Sequence, residues 1–302
     1  MPTPIVVPLA GATGFELRKK AAKYVVENKN TTGAERGNTN QQGYGALAEI
    51  IIRNGLGMPE INPADHPLGY DVLLNSGVKM DVKCRGGKMP FLEKYASDDG
   101  IEREAKHNFF ARQLHDESLD ADIYLLTHLR AAGAKGELPG TARQKNWNLY
   151  VCGWVSKKRV LREGVYLPRH SLTEQGNTWF TYRGQEIEFY HRNLNELKSI
   201  KDLQNITAEI VKEDAAKIGD LNLTLVDAVR IAYDMVGRGI LSAEHLKFIQ
   251  KETGIAGKTP KPILHANQYF HLLKWLSEKG EISEKEIAAA KAILKEEPFT
   301  GI

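Results

Sequence analysis

The sequence predicts a mixed α/β domain, with a sheet held between helices, followed by an all-α C-terminal domain. Three observations predict it. Residues 69–85 (GYDVLLNSGVKMDVKCR) alternate apolar and polar side chains on both sides of a Gly-containing turn, the pattern of a β-hairpin. The segments before and after it read in the order α-α-β-β-α-β-β with a terminal hairpin, as expected for a sheet flanked by helices. From about Asn205 onward the apolar residues keep helical spacing, so the domains are placed at residues 1–204 and 205–302.

Taken in order, residues 14–27 read as an amphipathic helix with Phe15, Leu17, Ala21, Tyr24 and Val25 on one side. The stretch NKNTTGAERGNTNQQGYG is rich in small polar residues and reads as a loop, either a plain connection or a substrate contact. Thr39 or Asn40 is placed to cap a helix from Gln42 to Asn54, ended by Gly55. Residues 57–69 hold three prolines and two glycines and lead extended into the hairpin. Residues 100–116 read as a helix, LDADIYLLTHL as a buried strand, and NWNLYVCGWVSKKRVL as a second strand that leaves through Gly153. Residues 177–190 read as a hairpin turning at Arg183-Gly184. In the tail, 239–246 and 280–287 resemble each other at an offset of 41, each a helix end at Gly followed by a Ser cap. Ser283 and Glu286 match a capping box, so two related helical hairpins are expected.

Composition narrows the function classes. The net charge of +3 is unevenly spread, with 28 basic against 24 acidic residues in 1–204 and 13 against 14 in 205–302. The first part leans weakly toward an anionic partner. Cys84 and Cys152 are the only cysteines, without CxxC or HxxxH spacing, so neither a zinc site nor a disulfide framework is expected. The N-terminus lacks the basic and apolar regions of a signal peptide, and no apolar run approaches a membrane span. A cytoplasmic protein with no membrane association is expected.

The hairpin carries the chemistry. Counting outward from Asn75-Ser76-Gly77, Leu74 faces Val78, Leu73 faces Lys79, Val72 faces Met80 and Asp71 faces Asp81. Side chains alternate faces along a strand. One face is then Val72, Leu74, Val78, Met80 and Val82, and the other is Asp71, Leu73, Lys79, Asp81 and Lys83. Opposed like charges are unfavourable in a sheet unless a cation lies between them. A Mg²⁺ ion suits one or two carboxylates plus waters and phosphate oxygens. It would polarise a phosphodiester and activate water. Lys83, two residues after Asp81, can orient or deprotonate such a water, or offset charge on the phosphorane oxygens. Glu49, set in the apolar helix segment Leu47–Ile52, either completes this site or pairs with Arg53 at i+4. A solvated charged hairpin face, with Lys79–Asp81 and Asp71–Lys83 surface pairs, is the competing reading.

A helix Glu, then Asp, then Asp-x-Lys on a hairpin resembles the PD-(D/E)XK nuclease superfamily, over roughly residues 40–155. The resemblance implies a restriction-endonuclease-like fold and a Mg²⁺-dependent endonuclease acting on DNA, with Mn²⁺ able to substitute. It implies that Asp71 and Asp81 bind metal, that Glu49 matches the acidic residue many members carry on the first core helix, and that Lys83 assists the water. Tyr70 stands where the motif commonly has Pro, and Asp81 where it commonly has Glu. Cutting both strands of a duplex implies a homodimer. A junction-resolving enzyme, an RNA-cleaving relative and a nucleic-acid-binding protein without chemistry are the alternatives. Arg85, Lys88, Lys106, His107, Asn108, Arg112 and Gln113 are secondary candidates for phosphate contacts. His107 is also a conceivable general base. Trp147, Trp154, Trp179 and Trp275 are expected in the core rather than stacked on bases.

Overall fold

The computed structural model describes residues 2–27, 39–60, 69–86, 95–96, 102–103, 106–110, 114, 120–131, 146–167, 172–175, 178–181, 186–223, 225–256 and 266–294. It is a mixed α/β structure in two compact units. The first holds residues 1–92, 113–160 and 191–217, and the second holds 93–112, 161–190 and 218–302. This division does not coincide with a boundary at 204/205. Strand-bearing segments from the middle of the chain group with the C-terminal helices, so the second unit is not all-α.

The first unit is built on a five-stranded mixed sheet in the order β1-β8-β7-β3-β2. Its strands are β1 (Ile5–Ala10), β2 (Val72–Leu73), β3 (Lys79–Gly86), β7 (Ile123–Ala131) and β8 (Asn146–Ser156). β3 and β7 run parallel, and the other neighbours are antiparallel. Helices α1 (Gly11–Glu27) and α2 (Thr39–Gly55) pack on the face formed by Val72, Met80, Val82, Ile123, Leu125, Leu129, Leu149 and Val151. Ala48 and Ile52 from α2 and Met80 from β3 are fully enclosed there. Full burial of each such Ile or Met side chain contributes roughly 1.5–3 kcal/mol, so this face holds α2 against β3.

The hairpin forms in the register expected, Val72 opposite Met80 and Leu73 opposite Lys79. Gly77 takes a φ of 85°, which the turn requires and a Cβ would disfavour. Its tip is tied down by Asn75 N–H donating to Gln204 Oε1 (3.0 Å) and Ser76 Oγ–H donating to Ile206 O (2.6 Å). The ladder is short, and beyond it Asp71 N–H still donates to Met80 O (2.9 Å).

Several elements differ from the sequence reading. β1 was not expected; it lies at the sheet edge, where Pro8 costs no ladder bond. α1 buries Gly14, Ala21 and Val25 and leaves Phe15 exposed. A Cβ on Gly14 would meet Leu9 O at 2.4 Å, so the close turn after β1 sets which stripe faces the core. α2 begins at Thr39, inside the stretch read as a loop; residues 28–38 of that stretch lie outside the described residues. β8 does not leave at Gly153. It runs on to Ser156 through a register shift, and the missing Cβ lets Asn195 pair with Trp154.

The segment read as a helix over 100–116 contains strands β5 (Glu102–Arg103) and β6 (Lys106–Phe110) instead. His107 and Phe109 are buried while Lys106 and Asn108 are half-buried, a two-residue period that the adjacent aromatic residues masked. β6 pairs with β12 (Glu186–Tyr190), which also pairs with β9 (Val165–Leu167). The hairpin placed over 177–190 is likewise not formed. β11 (Thr178–Thr181) pairs with β10 (Leu172–Gln175), and Arg183-Gly184 lie outside the described residues. A further strand pair joins β4 (Tyr95–Ala96) to β5.

The helical tail is close to expectation. Two helix pairs, Leu225–Gly237 with Ala243–Thr253 and Ala266–Glu278 with Glu284–Leu294, each turn at a Gly of positive φ (Gly239 at 70°, Gly280 at 75°). Ser242 caps the second helix of the first pair through its hydroxyl and His245. Ser283 N–H donates to Glu286 Oε2 (2.9 Å) and Glu286 N–H donates to Ser283 Oγ (3.3 Å), the two bonds of the box read from sequence. Leu272, Leu276, Val229, Ile231 and Trp275 lie in their shared core. The helix before these pairs, Ala208–Ala216, groups with the first unit.

Candidate active site

β3 presents Asp81 and Lys83 on the face opposite Met80 and Val82. The Lys83 ammonium lies 2.8 Å from Asp81 Oδ2. Parallel pairing sets Asp81 beside Tyr124 and Lys83 beside Leu126 on β7. Lys83 Nζ sits 5.8 Å from the centre of the Tyr124 ring, within cation–π range. The ammonium is therefore held by a carboxylate and an aromatic face. Lys79 pairs elsewhere, with Asp120, so the surface pairs Lys79–Asp81 and Asp71–Lys83 do not form.

Asp71 is placed by the end of the short β2 ladder. Its carboxylate takes the Val82 N–H (Oδ2, 2.7 Å) in place of a further backbone partner. Its carbonyl accepts from Arg53 Nη1 of α2 (2.9 Å). The same guanidinium lies 3.9 Å from Glu49 Oε1, and its Nε donates to Pro59 O (3.2 Å). Glu49 thus faces inward at the edge of the apolar α2 surface, its side chain 7% exposed.

Electrostatics bind these groups into one site. Burial first of all, with Asp81 adding to it and Arg53 opposing it, raises the pKa of Glu49 to about 8. Asp71 is pushed well above the usual carboxylate range, first by burial, then by Asp81 and Glu49, against Lys83 and the Val82 N–H. Tyr124 is also raised, by burial and then by Asp81. Three carboxylates therefore share a space in which two of them resist ionising.

Of the four residues singled out from sequence, Lys83 pairs with Asp81, and Glu49 and Asp71 feel the charge of Asp81. Among the described residues, however, no three His, Cys, Asp or Glu side chains form a group that could hold a metal ion. The three-acid metal set Glu49–Asp71–Asp81 is thus not assembled. The sequence names Arg53 only as the i+4 partner of Glu49, a contact the structure shows at 3.9 Å, and does not mark Tyr124, which only the β3–β7 register brings there.

The secondary candidates fare differently. His107 is buried on β6 opposite Phe189, and Lys106 pairs with Glu188. Asn108 Nδ2 donates to Glu186 Oε2 (2.9 Å). Lys106, His107 and Asn108 all lie in the second unit, apart from the unit that holds the site. Arg85 lies on β3, two residues beyond Lys83. Lys88, Arg112 and Gln113 fall outside the described residues. Trp147, Trp154 and Trp275 are buried, as expected of core residues. Cys84 and Cys152 are both free thiols, and burial first of all pushes Cys84 up to about 12.

Compared with known proteins, the chain matches no family model, no curated protein and no solved structure. None of the described helices is long and apolar enough to cross a membrane.

Proposed function

We propose that the chain is a metal-dependent endonuclease that hydrolyses phosphodiester bonds in DNA, with a restriction-endonuclease-like core. One observation carries the reading: Asp71, beside β3, and the Asp81–Lys83 pair on it form an acid, acid and ammonium cluster whose carboxylates repel one another. The mixed sheet, with α2 packed on it and β3 parallel to β7, supports the same reading.

Asp71 and Asp81 offer the hard oxygen donors that suit Mg²⁺ or Mn²⁺, which would offset the repulsion that now raises Asp71; water and phosphate oxygens would complete the shell. Such an ion would polarise the phosphodiester and lower the pKa of a water. The chain's own residues supply the rest. Val82 N–H and the Arg53 guanidinium orient Asp71. Asp81 and the Tyr124 ring hold the Lys83 ammonium where it can hydrogen-bond an attacking water or offset charge gathering on the phosphate oxygens. Glu49 stands behind them as a carboxylate able to accept from an inner water. The protein is proposed to act in the cytoplasm as a homodimer, each protomer cutting one strand. Junction-resolving, RNA-cleaving and non-catalytic DNA-binding forms of the same fold are the outcomes that the test separates.

The test is digestion of supercoiled plasmid, synthetic four-way junctions and structured RNA with Mg²⁺ or Mn²⁺. Nicking or linearisation of plasmid is expected. Lys83→Ala should lower the rate by about 10²–10⁴-fold, the range for loss of a positioned proton-transfer group. Asp81→Ala should abolish cutting while DNA binding survives. Undiminished metal-dependent cutting in both variants overturns the site. Tight DNA binding without any cutting replaces the enzyme with a binding protein.

A further inference from the structure

We propose that Arg53 is a positioning residue of the site, locking Asp71 in place through its backbone carbonyl rather than serving as a helix-surface partner of Glu49. The distances separate the two roles. The contact to Glu49 is long (3.9 Å), beyond hydrogen-bonding reach. The contact to Asp71 O is short (2.9 Å), spans eighteen residues of sequence, and is a charge-assisted hydrogen bond, the stronger class. A third contact, to Pro59 O, uses another nitrogen of the fork. A guanidinium can serve these acceptors together because its donors are fixed in one plane; a lysine has no such fork.

Asp71 needs this lock because of where the ladder stops. β2 is only Val72–Leu73, so Asp71 lies just beyond it. Among the described residues, three hydrogen bonds hold Asp71: its N–H to Met80 O, its carboxylate on Val82 N–H and its carbonyl on Arg53. The first two belong to β3. Among the described residues, the Arg53 bond is the one that ties Asp71 to α2, the helix that also carries Glu49. Without it the Asp71 carboxylate, pressed by Asp81 and Glu49, is free to swing away from Val82 and from Asp81. The lock therefore also holds the two proposed metal-binding carboxylates together. For this consequence in catalysis the inference rests on the nuclease reading; the lock itself does not.

The test uses the full-length protein with Arg53→Met and Arg53→Lys. Amide hydrogen exchange at Val82, followed by NMR without divalent metal, reads the lock directly, because the Asp71 carboxylate covers that N–H. Val82 exchange is expected to accelerate about tenfold or more in both variants, as a charge-assisted hydrogen bond is lost. Leu74 N–H, bonded to Val78 O inside the turn, should keep its protection and shows that the hairpin is still folded. Where Arg53→Met fails to fold, Arg53→Lys alone decides. Unchanged Val82 exchange in a folded variant overturns the proposal. In the cleavage assay Arg53→Lys is expected to lower kcat by about 10²-fold, the cost of a 1 Å misplacement, with KM for DNA nearly unchanged. A wild-type protein that cleaves nothing sinks the nuclease reading, and Val82 exchange still judges the lock. Cutting by the wild type together with unmoved exchange and rates sinks the lock alone.

Discussion

Two buried carboxylate clusters in the first unit invite comparison, because the same sheet treats them in opposite ways. Asp214, on helix Ala208–Ala216, is 1% exposed and surrounded by donors. It accepts from Ser156 N–H (2.8 Å), Arg159 Nη1 (2.9 Å) and Asn195 Nδ2 (2.7 Å). Burial alone would raise its pKa, yet Asn195, the Ser156 N–H and Arg159 outweigh burial and lower it. At Glu49 and Asp71 the balance is reversed: burial wins, and neighbouring acids add to it. The Asp214 cluster neutralises itself and can only hold the end of β8 to a helix. The cluster on β3 instead keeps two carboxyl groups, Glu49 and Asp71, that resist ionising. Carboxyl groups perturbed in this way concentrate at functional sites.

The largest expected effect breaks the first half of that comparison. Asp214→Ala strands the buried Arg159 charge and should cost about 3–5 kcal/mol by urea unfolding. A loss under 1 kcal/mol would show that the cluster is not the structural pole. Neutralising the other cluster should do the reverse. Glu49→Gln in metal-free protein should leave stability unchanged or higher at neutral pH.

The pH dependence sharpens the contrast, since the two clusters have opposite signs. Glu49 titrates near 4.5 when unfolded and near 8 when folded. Between those values the folded state keeps a proton that the unfolded state has lost, so stability falls as pH rises. The contribution is on the order of a few kcal/mol across the window, and Glu49→Gln should flatten it. Asp214 is lowered from its ordinary 3.8, so its contribution is present above that value and is lost as pH falls through the folded value. Stability curves of the two variants from pH 3 to about 9 check both signs.

Divalent metal gives a smaller, more selective effect. Mn²⁺ at 100 times its dissociation constant should stabilise the protein by about 2.7 kcal/mol. Asp81→Asn should remove the gain and Lys217→Ala should keep it. The smallest effect belongs to Lys217, half-exposed and 4.0 Å from Asp214. Its removal should cost less than about 1 kcal/mol, as for an exposed pair. A larger loss would mean that Arg159 and Asn195 do not suffice to neutralise Asp214.

Much of the site was legible in the sequence because it lies on a hairpin. A three-residue turn sets the register, and a period of two then assigns every side chain to a face, so Val72 opposite Met80 and the shared face of Asp81 and Lys83 follow from local rules. Capping chemistry is equally local, which is why Ser283–Glu286 and the related helix pairs stand where they were expected. The misreadings share one physical cause. The strand Lys106–Phe110 and the pairing of Glu186–Tyr190 depend on partners 76–84 residues distant in sequence, and strand preference is set by the neighbours a strand meets more than by its own residues. Tertiary structure alone decided that Tyr124 lies under Lys83, because a parallel strand's register has no turn to fix it. It alone made Arg53 reach across to Asp71, and set Glu49 and Asp71 near enough to Asp81 that burial and its charge hold both back from ionising.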